Sequence, residues 1–205
     1  MYVQFNSPSR VLSDYAVNGV LKHPITAAVG SSINASGMVS LEGLTLSRDC
    51  VLYHCNAVKT LKGLRLVKHC TLRDLQSLHT LAGITLPANT ALHGLTGINS
   101  LKGLRLGKHC LLTGLRYLPS IAGIDFGPGH SSLTELYTVK RLHGLVLPPG
   151  MVFSGLASVE SIGHIQYTGK APVLRGLPDD VKISIPKLLP SEMQLLRHIK
   201  TEHVY

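Results

Sequence analysis

Two His-Cys dipeptides, His69–Cys70 and His109–Cys110, recur in near-identical surroundings, and Cys50 stands one repeat before the first of them. Imidazole beside thiol is a zinc-ligating combination, but tetrahedral zinc needs four ligands around one point. If the repeat stacks, the two pairs lie two strand spacings apart, roughly 10 Å, too far to share one ion. The expectation is therefore no metal, with the Cys column turned inward as small apolar groups and Thr90 and Met151 in the same slot. Cys50 and Cys70 are placed so that a disulfide is geometrically feasible. Four Cys without paired short spacings nevertheless point to free thiols in a reducing, intracellular compartment, cytoplasmic or organellar. His54, His79, His93 and His143 fall in scattered columns with no carboxylate and nucleophile at matching phase, and GxxxxGK, HExxH and GxSxG are all absent. The sequence thus predicts a nonenzymatic protein with no cofactor and no small-molecule substrate.

The other residues with chemical potential are cations. Lys62, Arg65 and Lys68 form one row, Lys102, Arg105 and Lys108 a second, and the unit between them carries Ala82, Thr85 and Ala88 at the same places. Rows about 10 Å apart suit phosphates or an acidic protein face. They also suit mere solubility, because like charges directly opposite on adjacent strands repel. Glu42 and Asp125 flank the patch. Beside it runs a glycine column, Gly43, Gly63, Gly83, Gly103, Gly123 and Gly144. Its structural reading is a backbone bend that only Gly accepts; its functional reading is a bare stripe on the strand face that a flat partner approaches closely.

What positions these groups is a repeat. LKGLRLVKHCTLRDLQSLHT, beginning at Leu61, and LKGLRLGKHCLLTGLRYLPS, beginning at Leu101, are near copies in a 205-residue chain, and 20-residue units begin at Leu21, Leu41, Leu61, Leu81, Leu101, Ile121, Leu142 and Ile162. One extra residue falls in the unit holding Gly127 to His130. Positions four and six (Leu44 and Leu46 in the second unit) alternate as one face of a strand requires. Positions twelve, fifteen and eighteen (Leu72, Leu75 and Leu78 in the third) add apolar groups at intervals of three. One unit cannot enclose them, whereas stacked coils turn each column into a continuous ridge. A square pentapeptide coil also has 20 residues but wants its apolar groups at one phase of five, so it ranks second.

The LxGLxL segment followed by Cys or His and spaced leucines resembles the leucine-rich repeat family over about residues 21–170, in its short, Cys- and His-containing form. Asp49, His69, Asn89 and His109 stand near the family's usual Asn, and the Cys column lies one place later than the family's pattern. The resemblance implies a repeat solenoid of about eight coils with a parallel β-sheet face used for recognition rather than chemistry.

Residues 1–20 supply Val3, Phe5, Val11, Leu12 and Tyr15 for an N-terminal cap over a 21–177 solenoid, whose first unit, with Pro24 and Thr26 at core columns, is degenerate. From 178 to 205 a C-terminal cap is expected. Val181, Ile183 and Ile185 alternate as a last strand, and Ser191 with Gln194 caps a terminal helix bearing Met193, Leu196 and Ile199. No run of 18 apolar residues and no basic-then-apolar start occur, so neither a membrane span nor a secretory signal is expected. The chain is 44% hydrophobic and 5% aromatic, without Trp, and its net charge is +9. That composition makes a base-stacking platform a poor expectation and leaves an acidic partner open. The leading expectation is a scaffold for a protein partner, with the strand face (Lys62, Arg65, Lys68, Lys102, Arg105, Lys108, Gly63, Gly83 and Gly103) as its binding surface. The alternatives are an RNA-associated subunit of a ribonucleoprotein, with RNA or another polyanion as partner, and a secreted bacterial effector acting in a host cell.

Overall fold

A computed structural model describes residues 1–3 and 11–184. The apolar columns and the turn residues between them together force the chain to coil. In the Leu41 coil, Leu44 N–H donates to the Leu41 carbonyl and Val58 N–H to the Cys55 carbonyl, each closing a tight turn, and both bonds recur in later coils. Left-handed residues mark the corners: Gly at position three, then Asp49, His69, Asn89 and His109 at position nine, then His54, Asp74, Gly94 and Gly114 at position fourteen. Asn, Asp and Gly tolerate that region most readily, and a corner built from it turns the chain without lengthening it.

The product is a parallel β-solenoid of about eight stacked coils, roughly 20 residues each, with almost no helix among the described residues. The sequence columns predict one strand-bearing face; the structure has three. Face one carries positions four to six, such as Leu44–Leu46 and Arg105–Leu106. Face two carries positions eleven to thirteen in an unbroken eight-stranded parallel sheet from Ser32–Asn34 to Val173–Arg175. Face three is made of single bridges (Ser40 with Thr60, Thr80 with Ser100) and, near the end, of Arg141–His143, Ser161–Gly163 and Lys182–Ser184. Two faces escape simple alternation over a long stretch because their pairing stretches are only one to three residues long.

Between the faces lies one apolar core. Positions one, twelve, fifteen and eighteen are buried through the middle of the stack, as in Leu81, Leu92, Leu95 and Ile98. Equivalent leucines meet across coils, with Leu72, Leu92 and Leu112 in direct strand register. The Cys column does turn inward: Cys50, Cys70 and Cys110 are buried free thiols, with Thr90 and Met151 also buried, and Cys55, in another column, is a buried free thiol too.

The first coil corrects the expected register. Ile25 pairs with Leu44 and Ile33 with Leu52, so this coil is one residue shorter than the others and begins after Leu21. A one-residue slip exchanges the faces of a strand. Ile25 and Ala27 therefore fill the core, while Pro24 and Thr26 do not occupy the core columns. Leu21 instead closes a small antiparallel hairpin, Ala16–Val17 with Val20–Leu21, around the left-handed Asn18 and Gly19. Val3 and Leu12 are buried at the N-terminal end, and Tyr2–Val3 adds a strand to face one beside Ile25–Ala27. Phe5 lies outside the described residues. At the other end the expected last strand is present as Lys182–Ser184, while Ile185 and the terminal helix lie outside the described residues.

Candidate interaction surface

The glycine column sits in the turn before each face-one strand rather than on the strand face itself. Gly43, Gly63, Gly83 and Gly103 have φ of +82°, +77°, +71° and +79°. An L side chain there is strained by about 1–2 kcal/mol. The column is thus a set of bends, and the hydroxyl column just before it completes them. Ser40, Thr60, Thr80, Ser100 and Ser120 each accept a hydrogen bond at 3.0–3.3 Å from the backbone N–H two residues on.

Lys62, Arg65, Lys68, Lys102, Arg105 and Lys108 are all exposed. Arg65 and Arg105 occupy the outward position of their strands. Arg65 stands opposite Thr45, and Arg105 between Thr85 and Asp125, so no cation faces another across a pairing. Arg105 Nε lies 3.9 Å from Asp125 Oδ2, both exposed, a contact too long and too wet to neutralise the row. The intervening coil, 81–100, contains no Asp, Glu, Lys or Arg.

Face one is interrupted at two places that the columns do not reveal. Its sheet runs from Tyr2–Val3 to Arg65–Leu66 and stops; Thr85–Leu86 begins a separate pair with Arg105–Leu106; Val146–Leu147 begins a third with Gln166–Tyr167. Each break has the same local chemistry. At position seven Val67 N–H donates to the Leu46 carbonyl (3.1 Å) and Gly107 N–H to the Leu86 carbonyl (2.8 Å). The residues at this position after the two breaks are Pro87 and Pro148, which have no N–H and put a ring methylene where it would point. The glycine corners register the same breaks. A Cβ added at Gly63, Gly103 or Gly123 would touch the preceding coil, whereas at Gly83 and Gly144 it would meet nothing within 4 Å.

The first break opens a groove of about 560 Å³ between the Leu61 and Leu81 coils, lined by Lys62, Leu64, Leu66, Ile84 and Thr85 among others. Through it the core shows: Leu64, Leu66 and Ile84 are only partly buried, where Leu44, Leu46 and Leu104 are fully enclosed.

The histidine column forms a corner ridge. His109 stacks on His130 with ring centroids 5.8 Å apart, and His69 Nε2 lies 3.5 Å from Asn89 Nδ2. Among the described residues no group of three or more His, Cys, Asp or Glu is placed to hold a metal ion. Burial pushes the thiols up, to about 12 at Cys55 and about 11 at Cys70, so they are neutral at physiological pH. Among the described residues no helix is long and apolar enough to cross a membrane.

No family model, no curated protein and no solved structure matches this chain. The class is therefore defined by the fold alone, a parallel β-solenoid with an exposed, basic, twice-interrupted face.

Proposed function

We propose that the protein is a nonenzymatic scaffold that binds a protein partner through face one. The observation that supports this most is the two rows of three exposed cations that flank a coil without a single formal charge. A repeat array presents these positions on a backbone already fixed by its core, so binding has to order the side chains but not the chain that carries them. An acidic protein face meets the rows without crossing like charges. The same rows also favour RNA as a second partner class, held through phosphates.

Capture from native lysate on the immobilised chain, with and without nuclease, separates the two. The scaffold reading expects a captured protein that survives nuclease and is lost when Lys62, Arg65, Lys102 and Arg105 are all reversed to Glu. Affinity that falls log-linearly with salt and disappears with nuclease assigns the rows to RNA instead. Retention of every partner by the charge-reversed chain overturns both.

A further inference from the structure

We infer that the groove between the Leu61 and Leu81 coils binds an extended acidic peptide segment as an added strand. This rests on the scaffold reading and names where and what that scaffold binds.

The groove presents the backbone a strand needs. In the next coil the Ile84 carbonyl accepts from Arg105 N–H (2.9 Å) and the Leu86 carbonyl from Gly107 N–H (2.8 Å). The corresponding Leu64 and Leu66 carbonyls have no such donors: Thr85 N–H makes no bond to Leu64, and Pro87 has none to give. Two acceptors at strand spacing on one bank therefore await alternate N–H groups of an incoming chain, the main-chain recognition used wherever a peptide extends a sheet edge.

Side chains of the incoming strand alternate in direction. Those pointing inward meet Leu64, Leu66 and Ile84, the core side chains that the opening leaves partly uncovered, so they must be apolar. Those pointing outward emerge beside Lys62, the charged residue in the groove's lining, while exposed Arg65 lies on the side toward the Leu41 coil and Lys102 and Arg105 stand beyond the uncharged coil. Carboxylates fit beside Lys62, because no acidic residue is in the groove's lining and Glu42 lines the neighbouring hollow with Arg65. The ligand is thus an extended segment in which apolar residues alternate with Asp or Glu. A volume of about 560 Å³ falls within the range of pockets that hold ligands. The Pro148 break does not share these features: its outward residue is Val146, and no cation stands at that position on either bank.

The test is selection of a random dodecapeptide library on the full chain, followed by titration of the best synthetic peptide. Enriched peptides should alternate apolar and acidic residues. Pro87→Val restores the donor that Val67 supplies one coil earlier. It should close the groove and weaken the peptide at least tenfold while raising the urea midpoint, so the loss does not come from unfolding. Selected peptides without this alternation overturn the inference, as does Pro87→Val leaving affinity unchanged. Single-stranded RNA binding in a Pro87→Val-sensitive way, in place of the peptide, also overturns it. If the lysate partner is lost on charge reversal but indifferent to Pro87→Val, the groove assignment fails and the scaffold reading stands. If no partner depends on the cations, the scaffold reading fails by itself.

Discussion

Single residues in this chain differ in consequence according to the coil that surrounds them. Leu92 and Leu64 belong to comparable columns, yet Leu92 has no exposed surface and Leu64 borders the groove. Leu92→Ala should cost about 3 kcal/mol in urea unfolding and Leu64→Ala roughly half that, because the cavity left at Leu64 opens to solvent. Equal costs would mean that the groove is closed in solution. A parallel contrast holds for the corners. Gly114 has φ of +85° and an added Cβ would approach Leu95 N at 2.7 Å, whereas Gly83 has φ of +71° and open space. Gly114→Ala should therefore lower the thermal midpoint well beyond Gly83→Ala, which carries only the backbone strain of about 1–2 kcal/mol. The buried thiols add a pH dependence of defined sign. Cys55 titrates near 9.0 when solvated and at about 12 in the fold, so above pH 9 the unfolded chain releases a proton that the folded one keeps. Stability contributed by the neutral thiol is complete below pH 9 and is lost as pH rises toward 12. Replacement of Cys55 by Ala should flatten the alkaline limb of the stability curve even though it lowers stability at pH 7.

At the scale of the coil, the determinants are turns and one-to-three-residue pairings. Amide exchange tests the pairing directly: Leu106 N–H, bonded to the Asp125 carbonyl at 2.8 Å, should be protected about tenfold or more over Thr85 N–H, which lacks its partner in the preceding coil. Comparable protection would show that the first break heals in solution. The coil was legible in the sequence because columns one, four, six, twelve, fifteen and eighteen carry burial, and burial is what a repeat preserves. The inward Cys column and the hydroxyl-assisted bends were legible for the same reason. Face three was not, because single bridges such as Ser40 with Thr60 leave no alternation to read. In the first coil the sequence columns put Pro24 and Thr26 where Ile25 and Ala27 stand, because the one-residue shortening falls in a segment without the LxGLxL signature. The glycine column is a set of bends, as its structural reading expects, and only its place differs, in the turn rather than on the strand face, since a column shared by every coil does not say where it bends. For the groove a signal did exist: Pro87 and Pro148 stand immediately after strand positions, where their missing N–H is decisive.

The whole molecule is quasi-one-dimensional, each coil resting mainly on its neighbours. Substitutions in distant coils should accordingly be independent: Leu72→Ala and Leu156→Ala, four coils apart, should add within about 0.5 kcal/mol, whereas Leu72→Ala with Leu92→Ala, adjacent on face two, should not. Strong coupling between the distant pair would argue that the stack behaves as one cooperative block. Face two runs through all eight strands without interruption, while face one is divided into three sections. The two prolines that make those divisions also solve a problem inherent to any repetitive array, in which every rung looks like the next and a ligand has no reason to stop at one. A single imino acid gives one rung an address. At Pro87 it does so without changing coil length, so one place in a repetitive rod is marked by a minimal edit to its sequence.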